Sequence, residues 1–270
     1  MNKLFSFKCL ASMLFFTSCS GFAENNGLPV ITVCGSPDYP PISWIEEGHI
    51  IGVAPTLVEK MISSLGYSVS TEQDSNWRRC LKEAELGNID VVVAAYRTEQ
   101  RLKFMSYLDE PIVLEPITLY YNKKKPITSD KWEDLKGLKA GILFSDSFGD
   151  EVDKKIREYL NIEFVSSGEQ NIHKLRIQRI DIMPLGVIGG ALQVKKLDYE
   201  NSIESLPNPI VSDYWYVGIS HHSPLMERTT ELNNALIKLK QGNAVEKGIQ
   251  HFTQRYINSD VTSQNIILIP

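Results

Sequence analysis

Residues 77–95 read WRRCLKEAELGNIDVVVAA, and this stretch decides the fold. Residues 77–86 suit a helix that ends at Gly87, since glycine commonly follows the last turn of a helix. Residues 89–95 are nearly all apolar, which is typical of a strand that is buried on both faces of a parallel sheet. A helix followed at once by such a strand predicts an α/β fold.

The residues before this stretch extend the same pattern. Val30–Cys34 is a short β-branched run, as expected of a buried strand. Apolar side chains recur at helical spacing in residues 55–65, and Gly66 stands where a C-terminal cap belongs. Tyr67 and Val69 then alternate with polar residues as a strand does. The first third of the chain therefore has the order β-α-β-α-β, which is the doubly wound pattern.

The same order of elements returns in the middle of the chain. Its predicted elements are strand 140–144, helix 149–160, strand 162–165, helix 172–177 and strand 180–185. The approaches to the last strand of each unit also match, as Asn88-Ile89-Asp90 and Arg179-Ile180-Asp181. Two α/β units of similar plan predict two lobes rather than one sheet.

The remaining residues decide how the lobes connect. They suit a strand at 215–220, a helix at 224–239 that Gly242 ends, and a last helix at 245–256. If these elements complete the first lobe, the chain crosses between lobes twice, near Val113 and near Asp213, and two crossings make a hinge. We therefore expect three parts beyond residue 27: lobe 1 from 28–113 and 213–258, lobe 2 from 114–212, and a C-terminal tail from 259–270.

The first 23 residues are predicted to be an export signal. Lys3 and Lys8 supply the positive start, residues 10–16 form a compact apolar run, and Ala23 offers a small residue at the cleavage site. The apolar run is too short to span a bilayer, which takes about 20 residues. Lipoprotein processing at Cys19 and a buried N-terminal helix are the alternatives. The export signal predicts a periplasmic protein.

The charge of the chain argues against a nucleic-acid partner. The formal net charge is −5, and it becomes −7 after cleavage because two lysines and no acids leave with the signal. Binding to phosphates needs clustered Lys and Arg, and the tight basic run at 123–125 is explained by a solvated turn.

Two cysteines remain in the mature chain. Cys34 and Cys80 form an even pair in an oxidising compartment, so we expect a disulfide between them. Two separately buried thiols are the alternative.

A series of short motifs resembles one known family, the bacterial extracellular solute-binding proteins of family 3, the polar amino acid type. The motifs are YPP at 39–41, GVA at 52–54, GNID at 87–90, TEQR at 98–101, YLDEP at 107–111, and LNNAL at 232–236 with Gly242 after it. The resemblance implies a type II periplasmic-binding-protein fold, with two mostly parallel, doubly wound α/β lobes on a two-stranded hinge. It also implies that the protein captures a small ligand between its lobes and delivers it to an ABC-type permease. We expect the protein to be monomeric.

The resemblance also implies the residues that bind the ligand. Arg101 matches the family arginine that holds the ligand carboxylate, and a guanidinium can do so through two parallel hydrogen bonds. Ser147 matches a hydroxyl donor from the other lobe, although Asp146 beside it is expected to cap the following helix. The remaining candidates are the aromatic residues Tyr39, Trp77, Trp44 and Tyr96, for which core packing is the alternative, and Arg78.

Two departures from the family pattern place a standard α-amino acid in doubt. The loop before Arg101 reads Ala94-Ala95-Tyr96-Arg97, where the family usually has serines. The second lobe's last strand ends in Met183-Pro184-Leu185-Gly186, where the family usually has an acid for the ligand ammonium group. Without that carboxylate a buried ammonium would lack a partner.

The sequence carries no recognisable catalytic motif, metal-ligand grouping or cofactor signature. We therefore expect a binding protein rather than an enzyme, with no metal and no cofactor. The alternatives are a periplasmic sensor for a membrane kinase or chemoreceptor, and a small periplasmic enzyme of the cyclohexadienyl dehydratase type.

Overall fold

A computed structural model of the chain describes residues 28–72 and 76–259. The predicted export signal, Cys19 and residues 260–270 of the predicted tail lie outside the described residues. None of the described helices is both long and apolar enough to cross a bilayer.

The described residues form two α/β lobes. The strands are β1 Val30–Cys34, β2 Asp38–Tyr39, β3 Ser43–Glu46, β4 His49–Ile51, β5 Ser68–Ser70, β6 Val91–Ala95, β7 Met105–Tyr107, β8 Val113–Asn122, β9 Lys139–Leu143, β10 Asn161–Val165, β11 Ile182–Gly186, β12 Ile203–Ser205 and β13 Val211–Ser220. The helices are α1 Val53–Ser63, α2 Trp77–Leu86, α3 Asp150–Tyr159, α4 Gly168–Arg176, α5 Val187–Lys196, α6 Thr229–Gln241 and α7 Ala244–Asn258. Short 3₁₀ helices cover Arg101–Lys103 and Pro224–Arg228.

The sheet of the first lobe has a parallel core. β1 lies between β5 and β6 and is parallel to both. β13 pairs antiparallel with β6, and β7 pairs antiparallel with β13. Every residue of β6 is buried, as its apolar run predicts.

The sheet of the second lobe repeats this plan. β9 lies between β10 and β11 and is parallel to both. β8 pairs antiparallel with β11, and β12 pairs antiparallel with β8. The second α/β unit that the sequence repeats therefore forms its own parallel core, as expected.

Two long antiparallel strands, β8 and β13, form the hinge. Their first halves pair with each other, Val113–Ile117 opposite Val211–Trp215. Beyond this ribbon β8 pairs with β11 in the second lobe, while β13 pairs with β6 in the first. Hydrogen bonds thus run along one continuous path of strands, but the two sheets share only this two-stranded ribbon. The double crossing predicted near Val113 and Asp213 lies within it.

The boundaries of most predicted elements agree with the structure to within two or three residues. α2 covers the predicted residues 77–86, and Gly87 follows it in the left-handed conformation with φ of 83°. Its first turn is capped by Asn76, whose Oδ1 accepts a hydrogen bond of 3.1 Å from the Arg79 N–H. Local capping chemistry therefore fixes both ends of this helix.

Several elements have no counterpart in the sequence-based prediction. β2, β3 and β4 form a small antiparallel sheet of their own between β1 and α1. Helix α5 follows β11 directly, and β7 and β12 add short antiparallel edges. These elements are short or glycine-containing, so periodicity does not reveal them.

The disulfide prediction is confirmed. Cys34 at the end of β1 is bonded to Cys80 in α2, with a sequence separation of 46 residues. Both cysteines are buried in a small apolar cluster that also contains Trp77 and Ala84. The bond therefore fastens α2 to the carboxyl end of β1.

Candidate functional site

A cavity lies between the two lobes, beyond the carboxyl ends of β1, β6 and β9. Its empty space is about 260 Å³, which includes space open to solvent. The lining residues are Ser36, Tyr39, Trp77, Ala94, Ala95, Tyr96, Arg101, Asp146, Ser147 and Trp215. This is the position at which open α/β sheets generally bind ligands.

Arg101 is buried in this cavity at 5% exposure and touches both lobes. Its side chain donates to the carbonyl oxygens of Tyr96 in the first lobe, at 3.1 Å, and Ser145 in the second, at 3.2 Å. The guanidinium carbon lies 5.3 Å from the centre of the Trp77 ring. Because a guanidinium carries five N–H donors, these two carbonyls leave donors for an acidic group.

Aromatic side chains form the walls of the cavity. Trp215 lies between two tyrosines, with ring centres 4.7 Å from Tyr39 and 5.6 Å from Tyr96. The Tyr96 hydroxyl donates to the Glu115 carbonyl oxygen at 2.6 Å. Burial raises the pKa of Tyr39 and of Tyr96, so both phenols stay neutral and present apolar faces with one hydroxyl each.

The structure places Ser147 and Asp146 differently from the arrangement expected from the sequence. The Ser147 hydroxyl donates to Asp153 Oδ2 at 2.5 Å and accepts from the Gly149 N–H at 3.3 Å, so it links the loop before α3 to the first turns of that helix. Its single proton is therefore already used. Asp146, expected to be the cap, lines the cavity instead, and its carboxyl group forms no hydrogen bond with the described residues.

The pKa of the Asp146 carboxyl group is raised to about 7, mainly by burial. Arg101 opposes this rise, whereas Asp38 and Asp153 add to it. Burial also raises the pKa of Asp38 to about 6. The cleft thus holds two carboxyl groups that keep a proton more readily than an exposed aspartate.

Two candidate residues lie outside the cavity lining. Trp44 is buried against Phe252 and Tyr256, with ring centres 5.7 and 5.5 Å away, which are the contacts of a core residue. Arg78 is exposed, and its guanidinium lies 6.0 Å from the ring centre of Phe144 in the other lobe. The other five candidates, Arg101, Trp77, Tyr39, Tyr96 and Ser147, all line the cavity.

Sequence reasoning missed two further lining residues, Ser36 and Trp215. They are 3% and 4% exposed, and neither Ser36 Oγ nor Trp215 Nε1 has a hydrogen-bond partner. The Trp215 N–H lies close enough to the Tyr96 hydroxyl to lower its pKa slightly, but the geometry is not that of a hydrogen bond. Ser36 could have been found from its place just beyond β1, at the binding edge of the sheet.

A third acid lies beside the cavity, in the hinge. Glu115 of β8 is 4% exposed, and no described residue hydrogen-bonds to its carboxyl group. Burial raises its pKa to about 8. Its Oε1 occupies the space beside Gly186, where a Cβ at that residue would come within 2.0 Å. The Glu115 carboxyl group of the hinge therefore fills the space that a side chain at position 186, the end of β11, would occupy.

Among residues 28–72 and 76–259, no group of three or more His, Cys, Asp and Glu side chains is placed to hold a metal ion. The chemistry that the described cavity offers is that of recognition. It contains one guanidinium, one carboxyl group that lacks a partner, and aromatic faces.

Many solved structures share this fold at low sequence identity. An amino acid ABC transporter substrate-binding protein from Streptococcus pneumoniae bound to L-arginine is 17% identical, with a TM-score of 0.72 over 85% of this chain and 97% of that one. A histidine kinase sensor domain with similarity to periplasmic binding proteins is 15% identical, with a TM-score of 0.69 over 85% and 96%. An ancestral amino acid-binding protein, a precursor of cyclohexadienyl dehydratase, is 18% identical, with a TM-score of 0.67 over 83% and 95%.

No curated protein sequence matches the chain. A family model does match, over residues 31–258, and this range contains both lobes and the hinge. The chain belongs to the bacterial extracellular solute-binding proteins of family 3.

Proposed function

We propose that this protein is a periplasmic receptor that closes its lobes around a small, carboxylate-bearing ligand, an amino acid or a related compound, and presents it to an ABC-type permease. The observation that carries the proposal is the position of Arg101. A buried guanidinium in the interlobe cavity contacts both lobes and still has N–H groups available.

The position of the arginine gives ligand capture a physical basis. A carboxylate that bonds to Arg101 forms charge-assisted hydrogen bonds in a site that closure desolvates, and these are stronger than neutral ones. Because a ligand that is bound better by the closed form shifts the population toward it, binding and closure are coupled. The permease would then recognise the closed, loaded form.

The Streptococcus pneumoniae relative supports the ligand class, since it is an ABC transporter component bound to L-arginine. The family description supports a location outside the cytoplasm. On these grounds, arginine, other amino acids and related small acids are the candidate ligands for this chain.

The substitution Arg101→Ala tests the proposal. Wild-type mature protein is screened by thermal shift against amino acids, small dicarboxylates and short peptides. A ligand at 100 times its Kd adds about 2.7 kcal/mol, or about 5–10 °C for a chain of this size. We expect Arg101→Ala to lose this stabilisation while its circular dichroism spectrum stays that of the wild type.

Arg79→Ala is the matched control, because it removes an exposed arginine of the same lobe that does not line the cavity and whose ion pair is with Glu83 in its own helix. It should keep the stabilisation. Ligand binding by Arg101→Ala with unchanged affinity would contradict the proposed role of the guanidinium.

A sensory function is the second candidate, because a histidine kinase sensor domain shares the fold. Uptake measurements in cells that lack the protein separate the two functions. Loss of uptake of the bound compound supports transport, whereas normal uptake with a lost transcriptional response supports sensing.

We further propose that the protein is not an enzyme. A cyclohexadienyl dehydratase precursor shares the fold, so catalysis of that type needs a direct test. Purified protein should not convert prephenate or arogenate, and product formation proportional to protein concentration would overturn this assignment.

A further inference from the structure

The Asp146 carboxyl group is an acid without a protein partner at the binding cavity. It lies in the loop between β9 and α3, lines the cavity and takes part in none of the ion pairs formed among the described residues. It does not cap α3, since no described side chain caps the first turn of this helix, and the hydrogen bonds of Ser147 Oγ and of the Phe148 N–H go to Asp153. Helix capping therefore does not explain an aspartate at this position.

Other groups around the same cavity also lack partners. Ser36 Oγ and Trp215 Nε1 are buried without hydrogen bonds. Unpaired buried polar atoms cost about 1–3 kcal/mol each, and both of these residues line the cavity. The indole N–H can only donate, so its partner has to be an acceptor. A polar ligand would supply partners for several of these groups at once.

The charges around the cavity favour a ligand with a positive group. Glu115 and Asp146 lie near Tyr39, and Asp38 lies near Asp146, while Arg101 is the cation among the lining residues. Glu115 and Asp38 do not line the cavity, which leaves Asp146 as the carboxylate that a ligand can reach directly. Because charged groups without partners are costly in a closed cleft, an approaching cation gains most at Asp146.

We propose that Asp146 receives a cationic group of the ligand, so that the protein selects small molecules that carry a protonated nitrogen besides the acidic group held by Arg101. The proposal rests on the proposed function and refines it. The acid comes from the loop after the first strand of the second lobe. The end of β11, Leu185-Gly186, carries no acid of its own.

The test compares matched compounds and matched variants. Glutamate, aspartate and 5-aminovalerate each carry a nitrogen that glutarate, succinate and valerate lack. Thermal shift and calorimetry measure the binding of these pairs, of the remaining standard amino acids and of the amine putrescine. We expect wild type to bind at least one compound with both groups, and to bind its nitrogen-free partner at least tenfold more weakly.

The variant Asp146→Asn keeps the shape and removes the charge. We expect it to lose about 10–100-fold in affinity for the compound with both groups, as expected for a charge-assisted hydrogen bond. Its affinity for nitrogen-free acids should stay equal or rise, so the ratio of the two affinities changes. A purely structural role of Asp146 would weaken both classes together.

Glu151→Gln is the control, because it removes the same charge from an exposed residue at the start of α3. It should behave as the wild type. If Asp146→Asn still prefers compounds with a nitrogen over their nitrogen-free partners, the assignment of Asp146 is wrong. The same holds if wild type binds nitrogen-free acids as tightly as the compounds with a nitrogen. In both cases the role of Arg101 is unaffected. If no compound of either class stabilises wild type, both the assignment and the proposed function are rejected.

Discussion

Glu115 shows how a single buried residue can make the stability of the fold depend on pH. Its pKa is about 8 in the folded protein, against an ordinary value of 4.5, because burial disfavours the charged carboxylate. Its neighbours in the fold are the rings of Tyr39 and Tyr120, which offer no charge to balance it. The folded state therefore holds a proton that the unfolded state has released.

The sign of the effect follows from proton linkage. Between pH 4.5 and about 8 the folded state binds more protons than the unfolded state, so the free energy of unfolding falls as pH rises through this range. Glu115→Gln removes this dependence. We expect the variant to match wild type near pH 4 and to exceed its stability above pH 8, by at most roughly 5 kcal/mol.

Urea unfolding at several pH values measures this difference. Glu59→Gln, at an exposed position of α1, serves as the control and should change the stability little at any pH. Equal stabilities of wild type and Glu115→Gln at pH 9 would show that the carboxyl group is solvated in the folded protein.

At the scale of one element, α2 depends on the disulfide for its position. The bond from Cys80 to Cys34 holds the helix whose first residue, Trp77, is a wall of the cavity. Cys80 lies one turn beyond Trp77 on the same face of the helix, so anchoring one residue limits the movement of the other.

Removing the disulfide should therefore reduce both stability and affinity. In the chain-entropy model, closing a loop of 46 residues is worth about 4 kcal/mol. We expect the double variant Cys34→Ala with Cys80→Ala to unfold at lower urea concentration by up to this amount, and to bind ligand more weakly. Dithiothreitol should lower the stability of wild type but leave that of the double variant unchanged. If the reductant has no effect on wild type, the two cysteines are not bonded in solution.

The elements also show which parts of the fold could be predicted from the sequence. α2 was predicted to the residue, because its period, its cap and Gly87 are local signals. α5 was missed because Gly189-Gly190 lowers its helix propensity. The reason for these glycines lies elsewhere in the chain: a Cβ at Gly190 would meet the Tyr120 ring at about 2.5 Å, and one at Gly189 would meet the Pro40 carbonyl oxygen at 2.8 Å.

Some residues of the candidate site could likewise be predicted from the sequence, and others could not. Arg101 and Trp77 were identified because short motifs resemble the family pattern, and both line the cavity. Trp215 and Asp146 were missed as residues that line the cavity, since their positions depend on how the hinge and the second lobe fold around Tyr39. The position of Asp146 depends on Asp153, which binds the neighbouring Ser147 hydroxyl and Phe148 N–H and leaves the Asp146 carboxyl group at the cavity. Such contacts between neighbours are invisible in sequence alone.

At the scale of the whole molecule, the closed arrangement is held by a few polar contacts between the lobes. Besides Arg101 with the Ser145 carbonyl, the Glu99 N–H donates to Asp150 Oδ2 at 3.0 Å, and Gln193 Nε2 donates to the Asp38 carbonyl at 2.9 Å. Lys196 Nζ in α5 also donates to the Tyr256 carbonyl in α7 at 3.0 Å. Hydrogen bonds of this kind can break and re-form, as a binding cycle requires. A ligand that bonds to both lobes then shifts the balance toward closure.

The glycine at position 189 offers a way to weaken closure without touching the ligand. Gly189 lies in α5 of the second lobe, and the Pro40 carbonyl of the first lobe is so close that a Cβ would come within 2.8 Å of it. Gly189→Ala should therefore clash only when the lobes are closed. In the open form the alanine instead favours the helix, by roughly 0.5–1 kcal/mol.

We expect Gly189→Ala to bind ligand about tenfold more weakly or worse, since overpacking typically costs about 1–3 kcal/mol, while the ligand-free protein is as stable as wild type or more so. Calorimetry with the best compound of the thermal-shift screen measures the affinity, and urea unfolding without ligand measures the stability. Gly242→Ala is the control, because a Cβ there makes only ordinary contact with Leu239. Unchanged affinity in Gly189→Ala would mean that ligand binding does not require the approach of α5 to the first lobe.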